Sequence, residues 1–75
     1  MSAAEFSEPI VITLNGEPHE LRAATSVEGL LSQLDIDPRL VAVEVNRRVV
    51  KKARYADTAV DRGAEVEIVS FVGGG

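Results

Sequence analysis

An Asn-Gly pair, Asn15-Gly16, sits between two runs of extended character. Ahead of it, Ile10, Ile12 and Leu14 alternate with Val11 and Thr13, a largely β-branched pattern of period two. Behind it, a return run from about Pro18 to Ala23 places His19 and Leu21 on one face. Asn-Gly at such a junction specifies a tight hairpin, because both central residues of a type I′ turn take positive φ. The chain therefore opens with an antiparallel hairpin, and the rest of it has to cover that hairpin's apolar face.

The cover is a helix. Thr25-Ser26-Val27-Glu28 has the form of a capping box, with the Thr25 hydroxyl as cap and Glu28 reaching back. Val27, Leu30, Leu31 and Leu34 then fall at helical spacing and make one apolar stripe. Gly29, a weak helix former, marks a point of close approach to the sheet. Asp37-Pro38 ends the segment, since a residue before proline is pushed out of the α region.

Leu40 to Val45 forms the strongest strand, with Val41, Val43 and Val45 on one face and Leu40 and Ala42 on the other. A turn at Asn46-Arg47 leads to a short strand at Val49-Val50. Lys51 to Asp61 reads as irregular, anchored by Tyr55. After a turn at Arg62-Gly63-Ala64, the last strand runs from Glu65 to Val72. The expected fold class is α+β: a mixed sheet of four to five strands with one main helix on one face, the last strand parallel to the first. That is the β-grasp, or ubiquitin-like, architecture. Residues 1–8 read as a disordered extension, 9–72 as the β-grasp domain and 73–75 as a flexible glycine tail.

Composition narrows the chemistry. A chain of 75 residues has one core and no room for a deep catalytic cleft. It has no cysteine and one histidine, so thiol nucleophiles, cysteine-ligated metals and histidine-rich metal sites are all excluded. The expectation is no bound metal or cofactor. A net charge of −4 argues against nucleic acid as a partner. No apolar run reaches the ~20 residues of a membrane span, and no basic, apolar leader is seen, which leads to an expected cytoplasmic location.

One candidate site remains. Gly73, Gly74 and Gly75 follow Phe71-Val72 with no polar spacer. Glycines contribute nothing to packing and lose the most entropy on ordering. They can be a linker or a frayed end. They can also be a thin thread that enters a narrow channel in a partner and presents the Gly75 carboxylate there. Such a carboxylate can attack the α-phosphate of ATP, and the resulting acyl-adenylate accepts sulfur readily. The direct join of strand to tail favours the thread.

The stretch from Val66 to Gly75 resembles the C-terminus of the thiamine-biosynthesis sulfur carrier family (ThiS). Leu14-Asn15-Gly16, Ser26-Val27, Leu30-Leu31, Val43-Glu44-Val45-Asn46, Val49-Val50, Arg54-Tyr55 and Gly63 resemble further parts of that family in order and spacing. Ala64 stands where the family often has an acidic residue. The resemblance implies a β-grasp fold and a carrier that is not itself an enzyme. It implies that an E1-like, ThiF-like adenylyltransferase uses ATP and magnesium to adenylate Gly75. A sulfur donor such as a cysteine desulfurase then yields a thiocarboxylate, and a ThiG-like thiazole synthase takes the sulfur. The alternatives are a sulfur carrier for molybdopterin or another metabolite, or a ubiquitin-like protein modifier joined through Gly75.

Other residues leave two readings each. Phe71 and Val72 either pack the last strand or dock on a partner. Arg47, Arg48, Lys51, Lys52 and Arg54 hold five of the eight basic residues; such a cluster is more often solvated than a steering surface. His19 is expected to be surface or half-buried, and Asp35 and Asp37 to serve the loop after the helix.

Overall fold

The computed structural model describes residues 8–71. The hairpin is present: β1 (Ile10–Leu14) pairs antiparallel with β2 (Glu17–Leu21) across Asn15 and Gly16, whose φ values are 50° and 83°. Ile10 and Ile12 face inward with Leu21, and His19 is half-buried opposite Ile12.

A two-residue strand β3 (Thr25–Ser26) leads into α1 (Val27–Gln33). The helix cap differs from expectation by one residue. Ser26, not Thr25, is the N-cap, and its Oγ accepts from the Gly29 amide at 3.0 Å. Thr25 is instead held in a ladder opposite Val60 of β6 (Ala59–Val60). With Ser26 as cap, the position that would complete a capping box is Gly29, which has no side chain to reach back. The two preceding amides are satisfied from the loop: Val27 N–H donates to the Thr58 carbonyl at 2.9 Å and Glu28 N–H to that of Tyr55 at 3.0 Å. A Cβ on Gly29 would collide with the Thr25 hydroxyl, so the close approach is to β3 rather than to the main sheet.

The helix ends on Asp35, at φ 58°. The Asp35 amide bonds to the Ser32 carbonyl at 3.1 Å and the Ile36 amide to that of Leu31 at 2.9 Å, the double closure of a Schellman motif in which glycine is the usual residue. Asp37 caps the 3₁₀ turn Pro38–Leu40 that follows.

β4 (Val41–Val45) and β5 (Arg48–Val50) form a second hairpin through Asn46 and Arg47, at φ 52° and 68°. β7 (Glu65–Ser70) lies between β1 and β4, parallel to the first and antiparallel to the second. The five-stranded sheet has the order β2-β1-β7-β4-β5, with β3 and β6 as a separate two-stranded ladder. This is the β-grasp expected. The core joins Val27, Leu30 and Leu31 of the helix to Ile12, Val43 and Val66 of the sheet, with Tyr55 and Val60 closing the side. Each such residue, fully buried, contributes roughly 1.5–3 kcal/mol. Leu40 falls outside the strand and is exposed.

Candidate functional site

The tail expected to carry chemistry, Gly73 to Gly75, and the docking residue Val72 lie outside the described residues. What the structure does describe is the strand that leads to them. β7 is the central strand of the sheet and is bonded on both sides. Two asparagines from the two I′ turns fix it further. Asn15 Oδ1 accepts from the Ile68 amide at 2.8 Å, and Asn46 Oδ1 accepts from the Glu65 amide at 3.0 Å. Each of these asparagines serves its turn by tolerating positive φ and serves β7 by supplying an acceptor. At the far end, the Phe71 amide donates to the Leu40 carbonyl at 2.8 Å. The backbone is thus held up to the last described residue.

Phe71 does not pack the core. It is 58% exposed on the sheet face opposite the helix. Val69, also 58% exposed, lies on the same face opposite Ala42, and Leu40 is 44% exposed beside Phe71. These residues form an apolar patch at the end of β7. Lys52 borders it: its Nζ sits 5.5 Å from the Phe71 ring centroid and donates to the Val41 carbonyl at 3.0 Å. A cation at that distance from a ring is attracted to its face. On the helix side of β7, a groove of about 450 Å³ is lined by Leu14, Leu34, Ile36, Leu40 and Ile68 among others, so Leu40 borders both surfaces. The strand end is flanked by apolar surface on both sides.

The remaining candidates are dispersed. Arg47, Arg48, Lys51, Lys52 and Arg54 are all exposed around β5 and the turn after it. Asp37 is engaged with Arg39, whose Nη2 donates at 2.7 Å and whose backbone amide donates at 2.9 Å. Those bonds hold its carboxyl at a pKa of about 2. Burial pushes the Tyr55 hydroxyl up from its ordinary value. Among the described residues there is no group of three or more His, Cys, Asp or Glu side chains able to hold a metal ion, and no helix long and apolar enough to cross a membrane. The sequence reading missed Leu40 and Val69 as parts of the patch. For Val69 the signal was present, since it alternates against the inward-facing Val66 and Ile68.

The model of the ThiS family matches residues 12–75, almost the whole domain. The chain belongs to the ThiS family. It is 32% identical to the sulfur carrier protein ThiS of Bacillus subtilis, over 87% of this chain and 100% of that protein. The crystal structure of the thiamine biosynthesis protein ThiS from Geobacter metallireducens superposes with a TM-score of 0.78 at 33% identity, covering 88% of this chain and all of that one. A thiazole synthase of Paramagnetospirillum magneticum is 47% identical over 64 residues, 85% of this chain. The chain spans only 20% of that synthase's length, so the ThiS-like region there is one part of a larger protein.

Proposed function

We propose that this domain is a sulfur carrier of thiamine biosynthesis that presents the Gly75 carboxylate to its partners. The observation that carries the proposal is the family match, which runs through the glycines to residue 75. The strand geometry supports it: β7 is bonded to two neighbouring strands and to two asparagine side chains, and the backbone is held as far as Phe71.

In this reading an E1-like adenylyltransferase binds ATP and magnesium and guides the glycine tail to the nucleotide. The Gly75 carboxylate attacks the α-phosphate and pyrophosphate leaves. Sulfide then displaces AMP to give the thiocarboxylate directly. Where the donor is a cysteine desulfurase persulfide, its outer sulfur displaces AMP to give an acyl disulfide. A second thiol cleaves that S–S bond, leaving as a disulfide and releasing the thiocarboxylate. The absence of a side chain at Gly73 to Gly75 keeps the thread narrow and the terminal carbonyl open to attack. The patch of Leu40, Val69 and Phe71 docks on the partner and sets the direction of the thread. An exposed apolar patch beside a reactive tail is the expected form of such a surface. The acceptor is a thiazole synthase, in keeping with the ThiS-like region within the Paramagnetospirillum magneticum enzyme. The carrier is consumed and recharged as a co-substrate, and it is not the catalyst.

Incubating the chain with an E1-like adenylyltransferase, ATP, magnesium and sulfide tests this reading. Intact mass spectrometry is expected to show sulfur in place of one oxygen at Gly75. Lysine conjugates without a thiocarboxylate would instead point to a protein modifier. Rescue of a molybdenum-cofactor mutant, but not of a thiazole auxotroph, would move the carrier to molybdopterin.

A further inference from the structure

The five-stranded sheet has two lateral edges, and they differ chemically. In the first hairpin, Leu14 and Glu17 close the two-residue turn as a hydrogen-bonded pair. Bonded and non-bonded pairs alternate from there, so the backbone groups of Pro18 and Glu20 on β2 point outward. Proline has no N–H, so this edge lacks a donor at Pro18; Glu20 keeps both groups, but it and Glu17 make the edge acidic. The second hairpin has the same geometry. Val45 and Arg48 close it, Glu44 and Val49 form the next, non-bonded pair, and the N–H and C=O of Val49 face away from β4. Here both groups are intact. Val49 is also the most exposed large apolar residue described, at 74%. Lys51 continues the extended backbone beyond the strand, at φ −71° and ψ 144°.

The segment that forms this edge carries one sign of charge, although Glu44 stands opposite Val49 on β4. No acidic residue occurs between Arg47 and Arg54, although the chain as a whole is at −4. A shallow hollow of about 350 Å³ lies beside β5. Val45, Val50 and Thr58 contribute its less exposed lining, and Arg48, Lys51 and Arg54 are exposed at its rim. Arg54 has one distant ion pair, with Asp57 at 3.9 Å, both side chains largely exposed. Lys52 is engaged elsewhere, over Phe71 and on the Val41 carbonyl.

We infer that the β5 edge binds an extended acidic segment of a partner protein by strand addition. The outward N–H and C=O of Val49 pair with the incoming backbone. Alternate side chains of the segment meet the hollow and the rim, so apolar and acidic residues should alternate along it. Only one residue of β5 offers both backbone groups, which makes the charges the main source of affinity and the backbone pairing the source of register. This surface is separate from the patch around Phe71 and does not depend on the tail chemistry, so it stands or falls independently of the carrier reading.

The test is a titration of the isotope-labelled full chain with a short synthetic peptide alternating valine and glutamate. Amide shifts should centre on Val49 and Lys51, exchange of the Val49 amide should slow, and affinity should fall as salt rises. A peptide with lysine in place of glutamate should not bind. Val49→Pro removes the outward donor and should weaken binding by about tenfold or more. Should that variant fail to fold, Lys51→Glu with Arg54→Glu makes the test outside the hairpin and should weaken binding by a similar factor. Shifts centred on β2, binding with no protection of Val49, or affinity unchanged in both variants would overturn the inference. So would an oligonucleotide that competes with the peptide while leaving Val49 exchange unaltered.

Discussion

Among the described residues, four that are not glycine hold positive φ: Asn15, Asp35, Asn46 and Arg47. Asparagine and aspartate tolerate this region through their short polar side chains; arginine does not. The left-handed region costs an ordinary residue about 1–2 kcal/mol, and glycine returns part of any gain through its unfolded-state entropy. Arg47→Gly should therefore stabilise the domain by up to about 1 kcal/mol, and Gly16→Ala should destabilise it by about 1–2 kcal/mol. Thermal melts check both, since 1 kcal/mol moves the midpoint of a domain this small by roughly 4–8 °C. Asp37 offers a second residue-scale outcome. Its carboxyl titrates near pH 2 in the folded chain because the charged form accepts from Arg39. The stabilising effect is complete above the ordinary aspartate range and is lost as pH falls toward 2. Arg39 is largely exposed and Asp37 partly so, and the effect on stability is small and screened by salt. A carboxyl-detected NMR titration should give the low midpoint, and Arg39→Ala should return it toward the ordinary value.

At the scale of elements, the helix start separates two caps that adjoin in sequence. Ser26→Ala removes the bond to Gly29 and should cost about 1 kcal/mol, whereas Thr25→Ala leaves that bond in place and should cost less. Denaturant melts of the two variants decide between them. The hairpins, the helix stripe and β7 were legible because period-two and helical spacings report burial directly, as in Ile10, Ile12 and Leu14 or in Val27, Leu30 and Leu31. The β3–β6 ladder was not legible, because strands of two residues carry no period. The pairing of Thr25 with Val60 becomes visible only once the chain between them has folded back. That pairing moved the cap to Ser26. The parity of Val69 and Phe71 was legible, and it predicts their effects. Val69→Ser and Phe71→Ala remove exposed side chains and should change stability by no more than about 0.5 kcal/mol. The same changes should raise the KM of the adenylyltransferase for the carrier. A rise in KM without loss of stability marks docking, and a drop in melting temperature with unchanged KM would return both residues to a structural role.

The whole molecule divides its tasks along the chain. Among the described residues, every buried member of the core falls between Ile10 and Val66. The proposed chemistry lies at Gly75, nine residues after Val66 and beyond the last strand. Stability and activity should therefore separate cleanly. Deleting Gly74-Gly75 leaves every residue of that core in place and should leave the melting midpoint within the error of the measurement, yet abolish adenylation, since no carboxylate then reaches the nucleotide. Extending the chain past Gly75 by a few residues makes a sharper comparison. The glycines stay, the domain stays, and a peptide bond takes the place of the carboxylate at Gly75, the chain's free carboxylate now lying a few residues beyond the reach of the site. An amide oxygen is a poor nucleophile toward the α-phosphate, so the extended chain should neither release pyrophosphate from ATP in the presence of the adenylyltransferase nor gain sulfur. It should still bind that partner through the patch of Leu40, Val69 and Phe71, and so inhibit charging of the unextended chain. Normal pyrophosphate release with the extended chain would remove Gly75 from the reaction. Failure of the extended chain to compete would instead show that the patch does not dock.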